Sequence, residues 1–259
     1  MKRVEHNNDA VLFDPIEHKY ALESTKEPLR SATQIVHSYF PEFQQNEISK
    51  KLAVKYLQDQ DAIIENWTGN CMRATGEGSM VHKFAENMLR YHDSKNQLDN
   101  IRLERTLSIL NGTEPSFERV RRLSENVHDF IRNSLLPNYN IISLEQILFS
   151  PKYKMAGTAD VLATPKDYPE TLCIFDWKTN KEITDFLEYK RYGKPPLESI
   201  EDTTHNHYVL QLNVYKFMIE EENYYDSYDN ICMAYFHITD DGIKPEFIDD
   251  RKSIVKEIV

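Results

Sequence analysis

Two stretches, Gly157-Thr158-Ala159-Asp160-Val161-Leu162 and Ile174-Phe175-Asp176-Trp177-Lys178-Thr179, decide how this chain is read. Each is rich in apolar and β-branched residues, as strands are, and each carries an aspartate in its middle. Aspartate is disfavoured in strands and costly to bury without a partner. Two such violations in neighbouring strands call for a shared chemical reason. A hard divalent cation is one, because it takes carboxylate oxygens and compensates for their burial. On a strand, Asp176 and Lys178 share a face at about 6–7 Å separation. Both can therefore reach one phosphate. Trp177 points to the other face, while its backbone carbonyl lies between the two and is a further candidate ligand.

Working outward, residues 141–149, 155–163 and 171–179 read as three consecutive strands, separated by Ser150-Pro151 and by the turn-like 165–169 segment. The first two carry apolar residues at both parities, which predicts strands covered on both faces. Upstream, Val81, Phe84, Ala85 and Met88 recur at helical spacing over 79–91. A second helix over 115–136 buries Phe117, Val120, Leu123, Val127, Ile131 and Leu135, and Pro137-Asn138 ends it. Downstream, a polar loop over 188–204 leads to a helix over 205–222 and a strand over 230–238. The opening third predicts a hairpin turned at Asp14-Pro15, short helices over 32–40 and 48–58, and a turn over 69–78 marked by its glycines.

The chain has 259 residues, 40% hydrophobic and 28% charged, which suffices for a sizeable core. Its net charge of −11 argues against a generic nucleic-acid binder. The charge is uneven, however. Residues 1–200 hold 26 basic and 29 acidic side chains, and residues 201–259 hold 5 and 13. Residues 101–200 balance, with Arg119, Arg121, Arg122 and Arg132 on one predicted helix, so a locally positive groove is compatible with the negative total. No run reaches the roughly 20 apolar residues of a membrane span, and the first residues lack the apolar stretch of a signal peptide. A soluble cytoplasmic protein without membrane contact is expected. Cys71, Cys173 and Cys232 suggest buried, reduced thiols rather than a disulfide framework or a metal knuckle. Only seven glycines occur, and no phosphate-binding loop or nucleophile elbow is among them.

Supporting residues are weaker signals alone. A lone D-x-K triplet is more often a buried ion pair, and a lone helical histidine such as His82 is more often half-exposed. Glu86, one turn from His82, reads as solvated. Glu145 is an acid within an apolar strand, and a place near a metal and an exposed strand end explain it equally well. Gln211 and Tyr215 are one helical turn apart, with His207 a turn earlier, forming a stripe suited to a phosphate and a base. Lys152, Lys154 and the helix arginines are candidates to line a DNA path.

Taken in order, Gly78-Ser79-Met80-Val81-His82, Gly157-x-x-Asp160, Asp176-Trp177-Lys178 and Gln211-x-x-x-Tyr215 resemble the PD-(D/E)XK nuclease superfamily in its RecB-like exonuclease branch. The motifs span about residues 76–220 and look similar to mitochondrial genome maintenance exonucleases and related phage nucleases. The resemblance implies an α/β fold with a restriction-endonuclease-like core, a central mixed sheet flanked by helices. Residues 1–70 would form an N-terminal elaboration packed on a nuclease domain of residues 71–259. It implies magnesium or manganese held by His82, Asp160, Asp176 and the Trp177 carbonyl, with Lys178 catalytic and with Gln211 and Tyr215 facing DNA. Histidine is a softer ligand than magnesium usually takes, which suits manganese at least as well. No iron-sulfur cluster is expected from three scattered cysteines. The implied activity is phosphodiester hydrolysis, as an exonuclease on single-stranded DNA or DNA ends in replication, recombination or repair, with proteins of those processes as further partners. A structure-specific or restriction-like endonuclease and a catalytically silent DNA-binding or assembly module are the rivals. A narrow basic groove and modest, salt-sensitive DNA affinity complete the expectation.

Overall fold

A computed structural model describes residues 1–15, 17–91, 116–188 and 190–259. The start of the second predicted helix, Pro115, lies outside the described residues. The architecture is mixed α/β, with a central mixed sheet flanked by helices. An antiparallel run opens it: β1 (Lys2–His6), β2 (Asp9–Asp14), β3 (Lys19–Leu22) and β4 (Pro28–Ser31). Helices α1 (Ala32–Ser38), α2 (Gln45–Tyr56) and α3 (Gln60–Arg90) follow. Helix α4 (Phe117–Phe130) continues through a π turn at Ile131–Leu135 into a short turn at Leu136–Asn138. The three expected strands are β5 (Tyr139–Ser150), β6 (Met155–Pro165) and β7 (Thr171–Lys178). Then come α5 (Thr204–Glu221), β8 (Asn230–Thr239), β9 (Gly242–Phe247) and α6 (Lys252–Ile258).

Alternation along β7 assigns the two faces. Cys173, Phe175 and Trp177 join a core with Met80, Val81, Leu123 and Val127 of α3 and α4. Leu172 and Ile174 join a core with Leu210, Val214 and Phe217 of α5 and with α1 and α6. Asp176 and Lys178 belong to the same alternating set as Leu172 and Ile174, so they face α5. Both faces of β6 are covered, as expected, and those of β7 are covered too. Strand β5, expected to be covered as well, is buried only from Ile147 to Ser150; its first half packs Tyr139, Ile141 and Leu144 against the α3–α4 core and leaves Asn140 and Ile142 exposed.

One edge of β6 positions the site. Strand β5 pairs along the whole of the other edge, Met155 through Pro165. On the open edge, β4 pairs in parallel with Met155 and Ala156, and β7 pairs antiparallel with Val161 to Ala163. Residues 157–160 face neither strand. This gap holds the Gly157-x-x-Asp160 segment and opens a cleft between the N-terminal strands and β7.

Several expectations need correction. The predicted turn over 69–78 is the middle of α3, so the boundary drawn at residue 70 falls inside a continuous helix. Asp59 caps that helix on the Ala62 N–H, and Thr68, Thr75 and Ser79 hydroxyls donate to carbonyls four residues back. Glycine lowers helix propensity by about 1 kcal/mol without forbidding a helix. Gly78 serves close approach instead: a Cβ there would sit 2.9 Å from Thr179 Oγ1. Residues 1–40 are bound to the sheet itself, through β4 and through a core that Val11, Tyr20 and Leu29 share with Ile147, Phe149 and Ala156. The acidic tail also folds. Strand β9 pairs with β8, and Val255 and Ile258 of α6 enter the core. Cys71 is exposed rather than buried, and Cys173 and Cys232 are register partners on β7 and β8. Among the described residues, no helix is long and apolar enough to cross a membrane.

Candidate active site

The cleft is a groove of about 1810 Å³ lined by α3, the β2–β3 hairpin, β6, β7 and α5. Asp160, Asp176, Lys178, His82, Gln211 and Tyr215 all line it, so the four sequence motifs converge in one place. The convergence has a local cause. The β6–β7 ladder ends at the Val161–Phe175 pair. Beyond it the strands splay, and the Trp177 N–H donates to Asp160 Oδ2 at 2.8 Å instead of to a strand carbonyl. In extended backbone, the N–H and C=O of one residue point to the same edge. The Trp177 carbonyl therefore faces the gap too, while its ring packs near Phe130 and Phe236 on the other face.

His82 Nδ1 lies 3.3 Å from the same Asp160 oxygen. Burial works against ionising Asp160, but the His82 charge and hydrogen bond and the Trp177 N–H outweigh it, and the carboxyl stays below its usual range. His82 is shifted up in return: burial lowers it, and Asp160 raises it by more. Asp176 is buried, with Oδ2 2.5 Å from Lys178 Nζ. Burial raises its carboxyl despite the pull of Lys178. Burial lowers Lys178, but Asp176 overcomes it and keeps the ammonium charged. Lys178 also donates to Gln211 Oε1 at 3.2 Å and sits 4.3 Å from the Tyr208 ring centroid, a cation–π distance.

Glu145 joins this centre. The pairs Leu144–Val161 and Gln146–Ala159 put it across from Asp160, and it has a φ of 51°, in the left-handed region. Burial first, then the Asp160 charge, pushes its carboxyl up to about 7. A carboxyl raised in the fold stabilises the fold below its unfolded value and loses that contribution as pH rises toward 7. Glu145→Gln is accordingly expected to melt higher than the parent at pH 8 without metal and to match it near pH 4. Equal melting temperatures at both pH values would show that Glu145 is solvated.

Among the described residues, no group of three or more His, Cys, Asp or Glu side chains is arranged to hold a metal ion. The centre instead holds two pairs, His82 with Asp160 and Asp176 with Lys178. Its donors still suit a hard divalent cation. Asp176 Oδ2 is buried with the Lys178 ammonium at 2.5 Å as its partner, and as a carboxylate oxygen it is a hard donor of the kind such a cation takes. Glu145 and Asp160 add carboxylates on the same side.

Gln211 and Tyr215 line the groove, yet both have structural duties. Gln211 accepts from Lys178 and donates to Tyr215 Oη at 2.7 Å. Tyr215 is buried against Gly157, where a Cβ would lie 2.5 Å from its ring. His207 is elsewhere, bonded through Nε2 to Asp202 Oδ1 at 2.8 Å. Glu86 lines the groove but is held by Lys83 and Arg90. Among the described residues the expected basic groove is not found: they line it with six Lys and Arg against eight Asp and Glu. Arg119 and Arg122 line it with acidic partners, while Arg121, Arg132, Lys152 and Lys154 lie outside the lining.

Sequence reading missed a buttress beneath the site. Buried Glu77 accepts from Arg119 Nη1 at 2.9 Å and from the Ser116 N–H at 2.9 Å. Arg119 Nη2 donates to the Thr179 carbonyl at 3.0 Å. This buried pair ties α3 and α4 to the end of β7, one residue beyond Lys178. Tyr208 was also missed, because neither a one-turn spacing to Gln211 nor its aromatic type reveals a ring over a lysine.

No family model matches the chain, and no curated protein does. Among solved structures, the crystal structure of SSO0001 is similar at 13% sequence identity and a TM-score of 0.29, over 69% of this chain and 70% of that one.

Proposed function

We propose that this protein is a metal-dependent nuclease with a restriction-endonuclease-like core, hydrolysing phosphodiester bonds as an exonuclease on single-stranded DNA or DNA ends in replication, recombination or repair. The observation that carries the reading is the meeting of Asp160, Asp176, Lys178 and His82 where β6 and β7 splay at one groove. An ordinary buried ion pair would account for Asp176 and Lys178. It would not account for a second carboxylate holding a histidine beside them.

In this reading His82, Asp160, Asp176 and the Trp177 carbonyl would hold magnesium or manganese, with Glu145 as a further oxygen donor. Such a cation, when bound, polarises the scissile phosphate and lowers the pKa of water. The chain's own residues do the positioning. The Lys178 ammonium, fixed by Asp176, Gln211 and Tyr208, orients the attacking water and offsets charge developing on the phosphate oxygens. Gln211 in turn is set by Tyr215, so α5 determines where the ammonium points.

The test is incubation of the full chain with end-labelled linear single-stranded DNA and with circular single-stranded DNA, in manganese or magnesium and in EDTA. Cleavage of the linear strand from its end, abolished by EDTA, with the circle intact, is expected. Cleavage of the circle would favour the endonuclease reading. Absence of metal-dependent cleavage of either substrate would refute nuclease function.

A further inference from the structure

Building on the nuclease reading, we propose that the β2–β3 hairpin is a stacking wall for an unpaired base of the bound strand, with the His18 imidazole as its contact surface. Phe13, Pro15, Glu17, His18 and Tyr20 line the same groove as Asp160 and Asp176. The hairpin is fastened close to the chemistry: Tyr20 Oη lies 2.8 Å from Thr158 Oγ1, two residues before Asp160. Beneath the surface, Phe13 and Tyr20 are buried and stacked, with centroids 4.8 Å apart and planes at 22°. His18 is exposed above them, 5.2 Å from Phe13 and 6.1 Å from Tyr20.

Each part of this arrangement has a physical use. A buried aromatic pair gives a rigid base that a nucleotide need not order. The exposed ring adds a π face, and base–aromatic stacking works for every base without sequence preference. The His18 backbone is left-handed at φ 51°, a region in which histidine is enriched. A core role alone explains Phe13 and Tyr20. It leaves the exposed ring beside the groove without a purpose.

Charge points the same way. Of the groove cations, Arg119 is held by Glu77, Arg122 by Glu118 and Asp240, and Lys83 by Glu86. Attraction for phosphates is therefore partly spent within the protein, and stacking supplies what the charges do not. It also selects the substrate. Bases in a duplex stack on one another and present no free face, whereas an unpaired end does.

The experiment measures binding of a fluorescent single-stranded DNA oligonucleotide by anisotropy, in manganese, in a Lys178→Ala background. His18→Ala is expected to weaken binding about tenfold, the scale of a lost base stack. His18→Tyr should restore it. With oligonucleotides carrying one abasic residue, walked along the strand, one position should lose affinity in the parent and lose nothing further in His18→Ala. The melting temperatures of all three proteins should agree within a few degrees, because the ring is exposed and the left-handed backbone at φ 51° costs Ala and Tyr only slightly more than His. Unchanged affinity in His18→Ala, or an equal loss for intact and every abasic strand, would overturn the stacking wall. That result is separable from the nuclease reading, which stands or falls on metal-dependent cleavage by the unmodified protein.

Discussion

Lys178→Ala is expected to lower cleavage by about a hundred- to a thousandfold at saturating metal, the usual cost of removing one donor aimed at developing charge. Arg119, which reaches the Thr179 carbonyl beside Lys178, is committed to Glu77. Lys178 itself is held from three sides, by Asp176 at 2.5 Å, Gln211 at 3.2 Å and the Tyr208 ring at 4.3 Å. The substitution also leaves Asp176 buried without its cation. Burial already raises that carboxyl, and losing Lys178 raises it further. Stability tied to a raised carboxyl is present below its unfolded value and lost as pH rises through the folded one. The variant should therefore lose more melting temperature between pH 5 and pH 8 than the parent does. Cleavage within a few-fold of the parent would remove Lys178 from the mechanism.

Arg119→Ala has the second largest expected effect, and it acts on both stability and activity. The Glu77 side chain is only 5% exposed and that of Arg119 12%, so truncating Arg119 strands a buried carboxylate. Breaking such a pair costs about 3–5 kcal/mol. For a chain of this size, that corresponds to a fall of roughly 10 °C in melting temperature. Because the same guanidinium holds the Thr179 carbonyl, Lys178 loses its support, and kcat should fall while substrate affinity changes less. The double variant Glu77→Leu/Arg119→Met should melt higher than Arg119→Ala, since it removes the stranded charge. A single variant that melts within 2 °C of the parent would show that the pair is not structural.

These two residues mark the limit of what the sequence discloses. Strands β5 to β7, helix α5 and the meeting of Asp160 with Asp176 and Lys178 were legible, because period-two alternation and misplaced aspartates are local signals. Helix α3 was misread at Gly69–Gly78 because glycine is read as punctuation, whereas Gly78 serves a contact with Thr179 about 100 residues away. The Glu77–Arg119 pair spans 42 residues. Neither partner stands out, since each is an ordinary charge on an amphipathic helix. Glu145 remained ambiguous until the β5–β6 register put it across from Asp160. The N-terminal strands looked peripheral until β4 was seen to share an edge of β6 with β7, which turns the hairpin toward the groove. The charge of −11 was real but misleading in both directions. The tail folds into the core, and the described lining of the groove carries more acidic than basic side chains.

The proposed function requires that the carboxylates at the β6–β7 splay hold a divalent cation used to cut a phosphodiester. A crystal structure of the full chain soaked with manganese, read from the anomalous signal of the ion, tests it most directly. Manganese is expected on Asp160 and Asp176, with His82 turned onto the same ion and away from its pairing with Asp160 alone. Manganese absent from this centre at concentrations that support cleavage, or bound elsewhere with Asp176 and Lys178 still paired, would contradict it.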